Sequence, residues 1–349
     1  MISTLEFSSN PKASILIVYT GGTLGMDYDE NGSLVPCDFE RVVARIPVLK
    51  ELNINLSVIS FNPPIDSSNV KTDHWVQIGQ TIKDNYAAFD GFIVLHGTDT
   101  MAYSASALSF MLQGLNKPVI FTGAQLPIAS PRSDGRENFV TALEIAADRR
   151  EEIPVVSEVC IFFNHLLLRG NRSKKVESHH FDAFESENYP ALAEAGIVID
   201  YNYTALKAYD PTARLIFYPE LKDDIVILKL FPGINQKAVS HILSTPSVKG
   251  VIMESYGSGN VPHQPWFLSM LEDAVNKDVV VLNVSQCNGG NVIQGKYEAS
   301  SALNRIGIIS GRDLTTEAAT TKMMHLFGRS TDPQEIKRNL TTAISGEMN

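Results

Sequence analysis

Through the first half of the chain, short and almost wholly apolar runs recur at residues 15–21, 56–61, 91–96, 118–122 and 159–163. Each is about a strand long. None alternates apolar with polar residues as a half-exposed strand does, so each is expected to be buried on both faces. Helical patterns fill the gaps, near residues 39–49, 72–87, 100–115 and 136–147. Such strand-helix alternation builds a parallel sheet covered by helices on both sides.

The pattern lapses over residues 201–224, where polar residues and Pro211 interrupt it. Strand-like runs resume at 225–230, 250–253 and 279–283, with helical patterns near 236–243, 265–275, 316–327 and 333–344. The fold class expected is α/β. A larger N-terminal parallel-sheet domain (1–200) is joined by a linker (201–224) to a smaller C-terminal α/β domain (225–349). A chain of 349 residues is long enough for two domains.

Composition excludes several function classes. The net charge is −10, and no run of adjacent basic residues is longer than a pair such as Arg149-Arg150 or Lys174-Lys175. Nucleic acid is therefore not an expected partner, because phosphate binding needs clustered Lys and Arg. The first apolar run is too short for a signal peptide, and no run approaches the ~20 residues that span a membrane. Cys37, Cys160 and Cys287 are isolated and odd in number. That fits a reducing cytoplasm without a disulfide framework.

Chemistry concentrates where strands should end, the edge at which open α/β sheets bind ligands. Thr20-Gly21-Gly22-Thr23-Leu24-Gly25 follows the first run, and His96-Gly97-Thr98-Asp99-Thr100 follows the third. The glycines at 21, 22 and 25 do not fit the G-x-G-x-x-G dinucleotide spacing. Thr23 is then a candidate nucleophile or a residue of a plain turn. Its hydroxyl is weak at neutral pH and needs a base or a polarising neighbour. Thr98 and Asp99 can bind an ammonium, hold water or relay a proton; equally, they can cap the helix that follows. His96 offers a base, but still inside the strand it reads as a satisfied histidine of the core or one that supports the site from behind.

Ile65-Asp66-Ser67-Ser68-Asn69 offers hydroxyls and free N–H groups suited to a carboxylate, or a helix cap. Ser68-Asn69-Val70-Lys71 matches S-x-x-K, but the supporting S-D-N and K-T-G motifs are absent. Gly123-Ala124 can supply a backbone N–H to an oxyanion. Arg132, Asp134 and Arg136 are expected to pair with one another. His179-His180 has no third metal ligand at suitable spacing.

Together these segments resemble the bacterial-type L-asparaginases, in the cytoplasmic type I branch. The likeness extends through Asp66-Ser67-Ser68, Arg132-Ser133-Asp134, Arg169-Gly170-Asn171-Arg172, Phe181-Asp182-Ala183-Phe184 and Ser255-Tyr256-Gly257-Ser258-Gly259-Asn260. The resemblance implies hydrolysis of L-asparagine to L-aspartate and ammonia without metal or cofactor. Thr23 would form a β-acyl-enzyme, and Thr98, Asp99 and Lys175 would form a second polar triad. Asp99 would also hold the substrate α-ammonium, and Ser67 with Ser68 its α-carboxylate. The N–H groups of Thr98 and Ala124 would face the oxyanion. A homodimer or homotetramer is implied, with Asn260 of a neighbouring copy completing the site.

The chain departs from the family pattern in two places. Where many members carry a lid tyrosine this chain has Ser33, with Tyr28 earlier in the same loop. Where some type I enzymes carry an arginine of an activating asparagine site, this chain has Glu254, although Cys287 matches that region. A carboxylate cannot replace an arginine opposite a substrate carboxylate, so weak or absent activation is expected. The alternatives are a mixed glutaminase-asparaginase or a non-catalytic amino-acid sensor on the same fold. A tRNA-dependent amidotransferase subunit shares the domain but usually carries an extra N-terminal domain.

Overall fold

The computed structural model describes residues 3–5, 10–28, 34–36, 39–295 and 298–349. The chain divides into two compact units, Met1–Pro219 and Glu220–Asn349.

In the first unit the principal strands are β1 (Ser3–Leu5), β2 (Ala13–Tyr19), β3 (Ile54–Ser60), β4 (Gly91–Leu95), β5 (Val119–Thr122), β6 (Val159–Phe163) and β7 (Leu166–Arg169). A small hairpin, β8 (Lys174–Lys175) and β9 (Phe184–Glu185), follows, then β10 (Ala193–Ala195) and β11 (Ile199–Tyr201). Among the described residues nine of these form one sheet, in the order β1-β3-β2-β4-β5-β6-β7-β10-β11. The run from β3 to β6 is parallel, as its unbroken apolar sequence requires. Beyond β6 the sheet continues antiparallel through β7, β10 and β11, three strands the sequence pattern did not announce.

Helices α1 (Phe39–Ala44), α2 (Thr72–Asn85), α3 (Met101–Met111) and α4 (Gly135–Ala147) connect the parallel strands. Ile15, Ile17 and Tyr19 of β2 share one buried cluster with Phe39 and Val42 of α1 and Phe139, Leu143 and Ala146 of α4. Leu16 and Val18 are equally buried but lie outside that cluster, as do α2 and α3. Both faces of the strand are thus buried.

Two helices of this unit are five residues shorter than their patterns. The one expected over 39–49 stops at Ala44, and a 3-10 turn, Pro47–Glu51, replaces its end. Pro47 has no N–H to donate and disfavours helical backbone in the residue before it. The one expected over 100–115 spans Met101–Met111, with Gly114 just beyond at φ 73°.

The second unit is a parallel sheet of β12 (Ile225–Lys229), β13 (Gly250–Ser255), β14 (Val280–Ser285) and β15 (Ile309–Ser310). Its helices are α5 (Gln236–Leu243), α6 (Pro265–Val275), α7 (Glu298–Ile306), α8 (Thr316–Arg329) and α9 (Pro333–Leu340). No helix among the described residues is long and apolar enough to cross a membrane.

Candidate active site

Strand order places the site. From β2 the chain moves to β3 on one side, then returns to β4 on the other. The loops leaving β2 and β4 therefore diverge, and a crevice opens at the carboxyl ends of these strands. Thr23 follows β2, Ser67 follows β3, Thr98 and Asp99 follow β4, and Ala124 follows β5. The parallel topology alone collects them at one sheet edge.

Glycine draws these loops together. Gly22 has φ 92°, and a Cβ there would lie 2.5 Å from the Gly97 nitrogen, so the Thr23 turn rests on the Thr98 loop. Gly97 in turn faces Ser67: a Cβ would come within 2.5 Å of the Ser67 Oγ. Thr100 Oγ1 donates to the Ser67 carbonyl at 2.7 Å, tying the third loop to the second.

The hydroxyl and carboxylate after β4 are not helix caps. The N-cap of α3 is Thr100, which makes no side-chain capping bond. Lys175 Nζ instead donates to Thr98 Oγ1 at 2.8 Å and to Asp99 Oδ1 at 2.7 Å. Lys175 arrives on the β8–β9 hairpin, whose return strand begins at Phe184. Thr98 is buried, while the Asp99 side chain is 66% exposed. One Asp99 oxygen is thus held by a cation and the other is open to a ligand. Among the described residues the Thr23 hydroxyl and the N–H groups of Thr98 and Ala124 have no hydrogen-bond partner.

Ser67 is buried in a 3-10 turn capped by Asp66, whose Oδ1 accepts from Ser68 N at 2.9 Å. The cap belongs to Asp66, and the Ser67 side chain is not used for it. Asn260 lies in the second unit, in a turn where its N–H donates to the Tyr256 carbonyl at 2.8 Å. Ser33, Cys37 and the Tyr28 side chain lie outside the described residues.

Two residues of this loop cluster were not singled out as site residues in the sequence. Gln125 Oε1 accepts from Thr98 Oγ1 at 3.1 Å, and its Nε2 donates to the His180 carbonyl at 3.2 Å. Nothing in its surroundings in sequence marks it. Asp134 does not pair with Arg132 or Arg136 as expected. Its carboxylate accepts from the N–H groups of Gln125 and Leu126 at 2.9 to 3.1 Å, and from Asn138 Nδ2 at 3.2 Å. Backbone donors fix it, and they clamp the loop that carries Ala124. His179 and His180 join no metal cluster: no group of three His, Cys, Asp or Glu is gathered among the described residues.

His96 is the satisfied core histidine expected. The Gly97 carbonyl, 2.7 Å from Nδ1, can only accept, so Nδ1 carries the proton. Nε2 then accepts from Ser104 Oγ at 2.9 Å, and Ser104 accepts from Trp75 Nε1 at 2.8 Å. Burial pushes the His96 pKa down to about 4, partly offset by the Gly97 bond. The unfolded chain titrates near 6.5, so below that pH it takes up a proton that the fold refuses. His96 is thus expected to remove about 3 kcal/mol of stability as pH falls from roughly 6.5 to 4. Urea unfolding of wild type and His96→Gln across that range checks this. Equal pH slopes for the two proteins would contradict it.

Glu254, at the strand end of β13, is buried. Its Oε1 accepts from Thr316 Oγ1 at 2.6 Å, and its Oε2 pairs with Lys229 Nζ at 3.3 Å. Both carboxylate oxygens are therefore already engaged.

Family models match nearly the whole chain. The model described as Asparaginase, N-terminal, matches residues 14–207, and the Glutaminase/Asparaginase C-terminal domain matches 224–340. L-asparaginase 1 of Escherichia coli K12 is 41% identical over 97% of this chain and 98% of its own length. A 60 kDa lysophospholipase of Mus musculus is 38% identical over 97% of this chain, which spans 63% of that protein. Among solved structures, L-asparaginase I of Vibrio cholerae superposes with a TM-score of 0.88 at 38% identity, covering 97% of this chain and 99% of that one.

Proposed function

This chain belongs to the asparaginase family, and on that premise we propose that it hydrolyses L-asparagine to L-aspartate and ammonia through a threonine acyl-enzyme. The observation that carries the reading is Lys175 joined to both Thr98 and Asp99 on the loop against which the Thr23 turn rests.

Thr23 Oγ1 adds to the side-chain amide carbon, and the carbonyl oxygen becomes an oxyanion facing the N–H groups of Thr98 and Ala124. Such preorganised donors usually supply the largest single part of the stabilisation. The C–N bond then breaks, and the amide nitrogen leaves as ammonia with the proton that Thr23 lost. Water adds to the ester, the Thr23 oxygen leaves with a proton, and aspartate is released. Lys175 supports Thr98 as it positions that water. The open oxygen of Asp99 takes the substrate α-ammonium, and the Ser67–Ser68 turn takes its α-carboxylate. The working form is cytoplasmic and a homodimer or homotetramer, with Asn260 of a neighbouring copy completing each site.

Ammonia release by the purified protein, over ranges of L-asparagine and L-glutamine, tests the reading. Turnover of asparagine with a hyperbolic rate curve is expected, since Glu254 is committed to Thr316 and Lys229. Equal turnover of both substrates would move the assignment to a mixed glutaminase-asparaginase; pocket discrimination by one methylene is only about 10–200-fold. No turnover of either would leave a non-catalytic sensor. A sigmoidal curve that changes at Cys287 abolish would restore the activating site.

A further inference from the structure

We propose that Gln125 is a positioning residue that sets the hydrogen-bond polarity of Thr98 for the water-consuming half of the reaction; this rests on the asparaginase reading above. Valence leaves one assignment of the network. The His180 carbonyl can only accept, so the Gln125 carboxamide turns its NH2 towards it, at 3.2 Å. Its Oε1 then faces Thr98 Oγ1 at 3.1 Å, and it too can only accept. The Lys175 ammonium can only donate to Oγ1, at 2.8 Å. The single Thr98 proton therefore lies on the bond to Gln125, one lone pair of Oγ1 faces Lys175, and one lone pair remains.

A hydroxyl held this way meets water as an acceptor. Water that donates to Thr98 keeps its own lone pairs free for the acyl carbon, as attack requires. A Thr98 hydroxyl free to rotate would donate to that water, tie up one of its two lone pairs, and leave no acceptor for the proton the water must lose. Gln125 has a fixed base for this task. Asp134 clamps its backbone N–H at 2.9 Å, and the His180 carbonyl sits between the strands of the hairpin that delivers Lys175. Three chain segments therefore converge on the orientation of one hydroxyl.

The test is a set of variants followed by both products, ammonia from acylation and aspartate from deacylation. Gln125→Leu removes the acceptor and is expected to slow aspartate formation by about 3- to 10-fold, the effect of one net hydrogen bond. The ammonia burst should be unaffected, and KM should not rise. Gln125→Glu keeps an acceptor opposite Thr98 but turns an acceptor oxygen towards the His180 carbonyl, so it should lose less than Gln125→Leu without matching wild type. In a Thr98→Val background, Gln125→Leu should cost nothing further, because no hydroxyl remains to orient. An active wild type with an unchanged Gln125→Leu variant would overturn the assignment. So would Gln125→Leu costing as much in the Thr98→Val background as in wild type, since its effect would then not pass through the hydroxyl. A wild type silent on asparagine would instead bring down the reaction itself, and this role with it.

Discussion

Replacing Lys175 with Met is expected to lower kcat for L-asparagine by about 10²–10⁴-fold, the usual worth of a positioned proton-transfer group. Substrate binding should suffer much less. The amine bridges Thr98 Oγ1 and Asp99 Oδ1, while the other Asp99 oxygen still faces solvent. If Lys175 serves the water step more than acylation, the variant should release one equivalent of ammonia per site in a burst and then stall as the acyl-enzyme. Burst kinetics are the signature of such an intermediate. Apparent KM should fall with kcat, because a slow second step makes the acyl-enzyme accumulate. Thr23→Ala provides the contrast: it should bind asparagine and show neither burst nor turnover. A Lys175→Met enzyme with wild-type kcat and a raised KM would assign the lysine to binding instead.

The second large effect lies far along the chain, within the C-terminal unit. Lys322 and Glu347 form an ion pair at 2.7 Å with both side chains wholly buried. Burial pushes the Lys322 pKa down and Glu347 opposes that. The ammonium also donates to the Thr342 carbonyl at 2.7 Å, and the carboxylate accepts from the N–H groups of Ile344 and Ser345 at 2.8 to 3.0 Å. The pair therefore fastens the last residues of the chain to α8. Glu347→Gln keeps an acceptor for those N–H groups but leaves the lysine charge buried alone. A loss of about 3–5 kcal/mol is expected, visible as a melting point lowered by roughly 10 °C. Adding Lys322→Met should recover most of it, because the stranded charge is then gone. A single variant within ~1 kcal/mol of wild type in urea unfolding would show that water reaches the pair.

The sequence by itself determined the layered α/β architecture and which polar residues follow the strands of its sheet. Continuous apolar runs with helical patterns between them admit little except a parallel sheet covered on both faces. Such a sheet must present the residues after its strands along one edge, so Thr23, Ser67, Thr98 and Ala124 are legible in the sequence as a group. The glycine pair Gly21-Gly22 announced a close backbone approach but not its target.

The tertiary structure alone decided partnership. Local sequence could not separate capping from ligand binding at Thr98 and Asp99, since both uses need the same short polar side chains. The choice was made by Lys175, 77 residues away, arriving on a hairpin. Asp134 read locally as one charge in an Arg-rich loop, yet its oxygens serve backbone N–H groups that carry no sequence signal. Gln125 and the Lys322–Glu347 pair were invisible for the same reason. A hydrogen bond's worth depends on geometry and burial, and contacts between distant segments fix both. Periodicity reports which face of an element is apolar; it does not report which polar group will stand opposite.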